Sequence, residues 1–173
     1  VLDNPDIQVV GINDLVPVEN LAYLLKYDSV YGKYEKELDF DENNLVISGS
    51  KYRVYNEKDP AKLPWKDLEV DVVFECTGIF TKSNGLKKHI EAGAKLAILS
   101  APAKSDDITT VVHGVNSAGE DAEMFSCASC TTNCITPVVE IMERKLGVKK
   151  AMMTTIHAYT SSQGIVDSPS KKM

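Results

Sequence analysis

Positive charge is scarce in this chain. Its 173 residues carry 19 Lys and Arg against 25 Asp and Glu, and no basic run offsets the formal net charge of -6. Binding to a nucleic-acid backbone is therefore not expected as the main activity, and an acidic membrane leaflet is an equally poor partner. Long apolar runs are also missing: no stretch approaches the ~20 residues that span a bilayer. The ten glycines include no G-x-G pair, so the glycine-rich turn of many dinucleotide-binding folds is not in these residues. Widely spread cysteines are lacking too. Of Cys76, Cys127, Cys130 and Cys134, the last three crowd together. A disulfide framework spreads its cysteines to close loops, so this clustering points to a reducing, cytoplasmic setting and to reactive or metal-binding thiols. No initiator Met stands at Val1. Val1 to Pro5 reads as a helix tail running into a turn, and Lys171-Lys172-Met173 follows a polar loop with no closing element. These ends are expected to belong to a longer protein.

What is present is ordinary globular material, 43% hydrophobic and 25% charged. The length suits one domain, or one domain and part of another. Ile7 to Ile12 is a nearly continuous apolar run, which suits a strand buried on both faces of a parallel sheet. Val18 to Lys26 carries Leu21, Leu24 and Leu25 at helical spacing. Leu45 to Ile47 and Tyr52 to Tyr55 flank Ser48-Gly49-Ser50 as a hairpin. Asp59-Pro60 to Pro64-Trp65 is a loop. Strands are predicted over Val70 to Phe74, Lys95 to Ser100, Thr109 to Val115 and Val148 to Tyr159. Helices are predicted over Ser83 to Ala92, stopped by Gly93, and over Ser129 to Leu146, stopped by Gly147. This alternation means an α/β fold with a largely parallel sheet. Composition turns small and polar around Asn116 to Ser126. A domain boundary is expected there, separating residues 1–128 from residues 129–173.

Chemistry concentrates at strand ends and at one helix start. Asp14 follows the first strand, where a carboxylate either accepts from the ribose hydroxyls of a dinucleotide or caps the next helix. Glu75-Cys76-Thr77-Gly78 and Ser100-Ala101-Pro102 also fall at strand ends, as ligand-approach turns or as plain turns. Ser126 to Cys134, with sequence Ser-Cys-Ala-Ser-Cys-Thr-Thr-Asn-Cys, allows three readings. A metal site would use Cys127, Cys130 and Cys134, but a structural zinc site needs four ligands and no second cysteine pair exists, so no metal is assigned. A redox pair would use Cys127 and Cys130. A nucleophile would be Cys130, placed by an N-cap Ser129 in the first helical turn, where the dipole and unpaired amides favour a thiolate. Of His89, His113 and His157, the last is best suited as its base, near the end of a predicted strand.

The residues Ser129-Cys130-Thr131-Thr132-Asn133-Cys134, followed by His157-Ala158-Tyr159-Thr160, closely resemble the glyceraldehyde-3-phosphate dehydrogenase family. Gly11 to Leu15, Leu24 to Gly32, Asp59-Pro60 to Pro64-Trp65, Glu75 to Gly78, Ser100 to Pro102 and His113 to Asn116 resemble it in the same order. The resemblance implies an incomplete doubly wound Rossmann-type domain over 1–128 and the start of an α+β catalytic domain over 129–173. It implies NAD as cofactor, with Asp14 at the ribose, Lys58 beside the adenine and Ser100 near the nicotinamide half. Cys130 would attack glyceraldehyde 3-phosphate to give a thiohemiacetal, and His157 would act as base. Inorganic phosphate would then cleave the thioester to an acyl phosphate. Ser129, Thr131 and Thr160 match positions that bind substrate and phosphate, and the family implies a homotetramer. Lys58 stands where relatives often have Arg. Ser162 replaces a common acidic residue and takes no substrate role. Ser168 replaces a common Leu and leaves room for some NADP use, whereas Asp14 favours NAD. The other readings are an erythrose-4-phosphate dehydrogenase paralogue with the same thiol chemistry, and a non-catalytic thiol redox module.

Overall fold

The computed structural model of the chain describes residues 1–160 and 163–169. Its contacts divide into two units, Val1–Lys58 with His157–Met173, and Asp59–Ile156. Among the described residues no helix is long and apolar enough to cross a membrane.

The first unit is built around a small mixed sheet. Strand β1 (Ile12–Asn13) leads to helix α1 (Val18–Lys26), the span that its leucine spacing predicts. A short ribbon follows, β2 (Tyr27–Asp28) with β3 (Gly32–Lys33). Then come β4 (Leu38–Phe40), β5 (Asn44–Ile47) and β6 (Ser50–Tyr55). The predicted hairpin is β5 and β6, paired antiparallel with Ile47 opposite Ser50. Its turn residues Ser48 and Gly49 both have positive φ, 50° and 79°, as a two-residue turn between right-twisted strands requires. The sheet order is β1-β6-β5-β4, with β1 parallel to β6. Ala22, Leu45 and Val54 form the buried centre, with Ile12, Val18 and Leu21 packed against them.

The run from Ile7 to Ile12 departs from its predicted burial. Only Ile12 joins the ladder, and Ile7 and Val10 remain 46% and 36% exposed. A strand is buried on both faces only when neighbours pair it and layers cover it. Among the described residues β1 has one neighbour, β6.

The second unit holds the all-parallel sheet. After a 3-10 turn over Pro60–Lys62 come β7 (Val72–Glu75), α2 (Ser83–Glu91), β8 (Leu96–Leu99), β9 (Thr109–Thr110), β10 (Met124–Ser126) and α3 (Cys130–Leu146). The strand order is β7-β8-β10-β9, with parallel pairing throughout. Helix α2 covers one face. Leu86, Ala97, Leu99 and Ile108 form that core, with Ile90 and Met124 against it. On β7 the side chains alternate, so Val73 and Glu75 are buried while Val72 and Phe74 are exposed. Gly93 ends the helix at φ 110°. A Cβ there would lie 2.5 Å from Lys66 Cβ, so both the turn and the close approach require glycine.

Three predicted spans need correction. The strand over Thr109 to Val115 shortens to two residues. Asn116 bends the chain back, since its Oδ1 accepts from Val112 N at 2.8 Å and its Nδ2 donates to Thr110 O at 2.8 Å. A side chain thereby takes the backbone groups that a ladder would use. Strand β10 lies inside the stretch read as a polar boundary, and it sits between β8 and β9 in the sheet. Val148 to Tyr159 forms no strand. Residues 151–160 are exposed, Met152 and Ile156 almost wholly, and no strand among the described residues lies beside them to accept their backbone hydrogen bonds.

Candidate functional site

The start of α3 is fixed by a chain of local hydrogen bonds. Strand β10 ends at Ser126, which is fully buried. Its hydroxyl donates to Ala101 O at 2.6 Å and accepts from Ala128 N at 3.0 Å. Cys127 N donates to Leu99 O at 2.8 Å, which carries the β8 pairing one residue further. Ala128 then takes φ 62°, a left-handed conformation that costs an L-residue roughly 1 kcal/mol. That reversal turns the strand into the helix. Ser129 is the N-cap predicted from the sequence, and its Oγ accepts from Thr132 N at 3.0 Å. Asn133 reaches back from the next turn, with Nδ2 donating to Cys127 O at 2.7 Å and to Ser129 O at 2.9 Å. Cys130 is the first helical residue and is exposed, and Thr131 follows it half-buried. An exposed thiol at a helix N-terminus faces the partial positive charge that stabilises an anion. Cys134, one turn deeper on α3, is exposed as well. No residue of α3 is fully buried among the described residues, and Ile135, Thr136 and Pro137 are half-buried.

A second cluster stands at the carboxyl end of β1. Asp14 is half-buried, and its Oδ1 accepts from Val16 N at 2.9 Å. The alternative of a helix cap is overturned here. Pro17 occupies the N-cap of α1, and no side chain caps that helix. The other Asp14 oxygen accepts no hydrogen bond among the described residues, which suits a ligand bearing neighbouring hydroxyls. Asn13 clamps the adjoining segment, accepting from Glu57 N at 2.9 Å and donating to Glu57 O at 3.0 Å. Asn56 Nδ2 donates to Asp14 O at 2.9 Å. Lys58 follows directly and is exposed. Asn13 and Asn56 hold Asp14 and the Lys58 segment at one strand end. Sequence reading did not single them out, although both are side-chain amides flanking strand ends.

A third group lies at the carboxyl ends of β7 and β8. Ser100 is exposed, and its backbone N donates to Glu75 O at 3.0 Å. Beside it Thr77 and Gly78 form an exposed turn, with Gly78 at φ 71°. Glu75 is only 3% exposed. Burial pushes its carboxyl upward, but hydrogen bonds from His89 and from the Thr77 hydroxyl and amide outweigh this and hold it below the ordinary range. A bond to a buried histidine is invisible in sequence, because Glu75 and His89 meet only once α2 packs on β7.

His157 and Thr160 belong to the other unit from Cys130. Both are exposed. His157 Nδ1 lies 2.6 Å from Ala158 O. A carbonyl only accepts, so Nδ1 donates and the basic nitrogen of the neutral ring is Nε2. Thr160 N donates to Gln163 Oε1 at 2.7 Å, and Gln163 N donates to Thr160 O at 3.0 Å. Ser168 is half-buried, with Oγ donating to Val166 O at 3.3 Å. Asp167 beside it accepts from both the amide and hydroxyl of Ser29. Ser162 lies outside the described residues.

Residues 1–83 match the family model described as glyceraldehyde 3-phosphate dehydrogenase, NAD binding domain, and residues 129–173 match that described as glyceraldehyde 3-phosphate dehydrogenase, C-terminal domain. A protein named glyceraldehyde-3-phosphate dehydrogenase from Thermotoga maritima is 48% identical over 172 residues, which is 98% of this chain and 51% of the relative. Glyceraldehyde-3-phosphate dehydrogenase 1 of Bacillus subtilis is 50% identical over 173 residues, with 98% and 51% covered. The Geobacillus stearothermophilus protein of the same family name is 48% identical over 175 residues, with 99% and 52% covered. The chain spans about half the length of the curated relatives it matches.

Proposed function

This chain belongs to the glyceraldehyde-3-phosphate dehydrogenase family, and from that premise we propose that it is part of an NAD-dependent dehydrogenase that converts glyceraldehyde 3-phosphate and inorganic phosphate to 1,3-bisphosphoglycerate. The observation that carries the reading is the exposed Cys130 at the first position of α3, behind the Ser129 cap. A thiolate at that position adds to the aldehyde carbon, and the helix-start amide of Cys130 donates to the oxyanion that develops. His157, basic at Nε2, takes the thiol proton, returns it to the oxyanion to give the thiohemiacetal, and takes it again as the carbon gives up its hydrogen as hydride, which leaves the thioester. Inorganic phosphate then attacks the thioester carbon and releases the Cys130 thiolate with the acyl phosphate. Ser129, Thr131 and Thr160 are the hydroxyl groups assigned to the substrate and phosphate anions.

The residues present suit a dinucleotide. Asp14 offers an uncommitted acceptor oxygen for a ribose diol at the end of β1. Lys58 stands on the segment clamped beside it for the adenine side. Ser100, beside the Thr77–Gly78 turn, offers small groups and close backbone approach for the nicotinamide half. When bound, the nicotinamide supplies the hydride acceptor. A carboxylate at Asp14 repels a 2′-phosphate, which favours NAD over NADP. The second family match begins at 129, and we place the boundary between cofactor and catalytic domains there. A homotetramer in the cytoplasm completes the reading, supported by the family and by the clustered thiols.

The test uses the longer protein. Cys130→Ser abolishes phosphate-dependent reduction of NAD by glyceraldehyde 3-phosphate, whereas Cys127→Ser retains it. The opposite pattern assigns a redox pair instead of a nucleophile. Faster turnover with erythrose 4-phosphate assigns the paralogous substrate. The 173-residue chain by itself binds NAD weakly and does not turn over.

A further inference from the structure

A charged relay runs through the interior of the second unit, and neither the thiol chemistry nor the cofactor contacts assigned above use it. Trp65, His89 and Glu75 are 4%, 4% and 3% exposed. Trp65 Nε1 lies 3.1 Å from His89 Nδ1. An indole N–H can only donate, so Nδ1 is the acceptor and carries no proton. His89 Nε2 lies 3.0 Å from Glu75 Oε2, and a carboxylate can only accept, so Nε2 carries the proton. The two partners together fix one tautomer of one charge state, neutral with hydrogen on Nε2. An imidazolium would set an Nδ1–H against the indole N–H. The relay continues through the carboxylate. Glu75 Oε1 accepts from Thr77 N at 2.8 Å and from the Thr77 hydroxyl. Thr77 Oγ1 in turn accepts from Ile79 N at 3.1 Å, which closes the turn around Gly78.

This is a costly way to build a core. With His89 neutral, the buried Glu75 carboxylate has no Lys or Arg partner among the described residues and depends on its hydrogen bonds. An apolar residue in its place would pack against α2 without that demand. The relay instead delivers something an apolar residue cannot. It carries rigidity from Trp65 and α2 to an exposed turn at the carboxyl end of β7, next to Ser100 at the end of β8. In a parallel sheet that is the crevice side, where ligands bind.

We propose that Trp65, His89 and Glu75 are positioning residues, and that they hold the Thr77–Gly78 turn in the shape that receives a dinucleotide, with His89 locked as the neutral Nε2–H tautomer. The identity of the ligand rests on the function proposed above, whereas the tautomer and the relay do not.

The experiment uses the longer protein and NAD itself. In heteronuclear NMR of the imidazole nitrogens at neutral pH, His89 shows the neutral Nε2–H pattern. His89→Leu weakens NAD binding about tenfold, the effect of losing a hydrogen bond to a charged group. In steady state this enters through KM for NAD, with kcat held within about twofold. His89→Gln, which can accept from Trp65 and donate to Glu75, restores the affinity. Thr77→Val weakens binding similarly, and the double variant His89→Leu with Thr77→Val is no weaker than either single variant, because both break one path. A merely structural histidine gives additive losses in the double variant and no rescue by Gln, and that result overturns the proposal. An Nδ1–H tautomer overturns it as well. Absence of NAD binding in the unsubstituted protein overturns the dinucleotide reading and, with it, the ligand assigned to the turn. Unchanged affinity in all variants of a protein that does bind NAD overturns the relay alone.

Discussion

Cys130 and His157 hold their places by opposite means. Cys130 is reached along a path held by a run of hydrogen bonds: Ser126 to Ala101 and Ala128, Cys127 to Leu99, Ser129 to Thr132, and Asn133 back to Cys127 and Ser129. His157 sits on an extended stretch, exposed throughout residues 151–160, where its ring meets the carbonyl of its own neighbour. The first position is determined by contacts within one unit, mostly over fewer than ten residues of chain. The second lies on an exposed stretch that forms no helix or strand among the described residues and joins neither buried core. A nucleophile and its base can thus differ sharply in how far their placement depends on the rest of a protein.

The largest effect expected from this contrast is functional. His157→Asn in the longer protein lowers kcat for aldehyde oxidation by about 10²–10⁴-fold, the range for loss of a general base. It also removes the ascending limb of the pH–rate profile. Thermal stability stays close to that of the unsubstituted protein, because the ring is exposed. A large loss of melting temperature together with activity would place His157 inside a core that only the longer protein builds. Next in size is Ser126→Ala. It leaves the buried Ala128 N–H and the half-buried Ala101 C=O without their partner, at a cost of about 1–3 kcal/mol in chemical denaturation. Because Ala128 needs that bond to hold its left-handed turn, turnover should fall along with stability. An unaffected kcat would mean that the strand-to-helix reversal holds itself.

The same contrast explains what the sequence could disclose. Helix α3, its Ser129 cap and its Gly147 end are legible because capping is a local matter of side-chain oxygens and backbone freedom. Helix α1 is legible from its leucine spacing, and the hairpin of β5 and β6 from its Ser48-Gly49 turn. Strand β10 was hidden, since three residues of a strand carry little pattern and its place between β8 and β9 depends on partners distant in sequence. The predicted strand over 148–159 failed in the converse way, with an apolar pattern present and no partner. At the site, the residue types named Cys130, Asp14 and Ser100 at helix and strand ends. The residues that hold such groups in position, Ser126, Asn13, Asn56 and His89, act through contacts that exist only after folding.

A smaller and more local effect is expected at the cap itself. Ser129→Ala removes the acceptor for Thr132 N and costs about 1 kcal/mol of stability. Ser129→Asp, another good cap, recovers most of it. Recovery of stability with a worsened KM for phosphate would separate capping from anion binding, because a carboxylate caps a helix but repels the substrate anion.

The smallest effect is the sharpest test of the comparison. Met152 is completely exposed, so Met152→Ser in the 173-residue chain changes unfolding free energy by no more than about 0.5 kcal/mol. The stretch nevertheless carries Met152, Met153 and Ile156, an apolar content that a solvated linker does not need. If the same substitution in the longer protein costs about 2 kcal/mol, the price of truncating a buried methionine, then the base is placed by packing from outside these residues. If it stays neutral there too, non-local packing at Met152 is not what fixes His157, and the explanation of the contrast offered here fails.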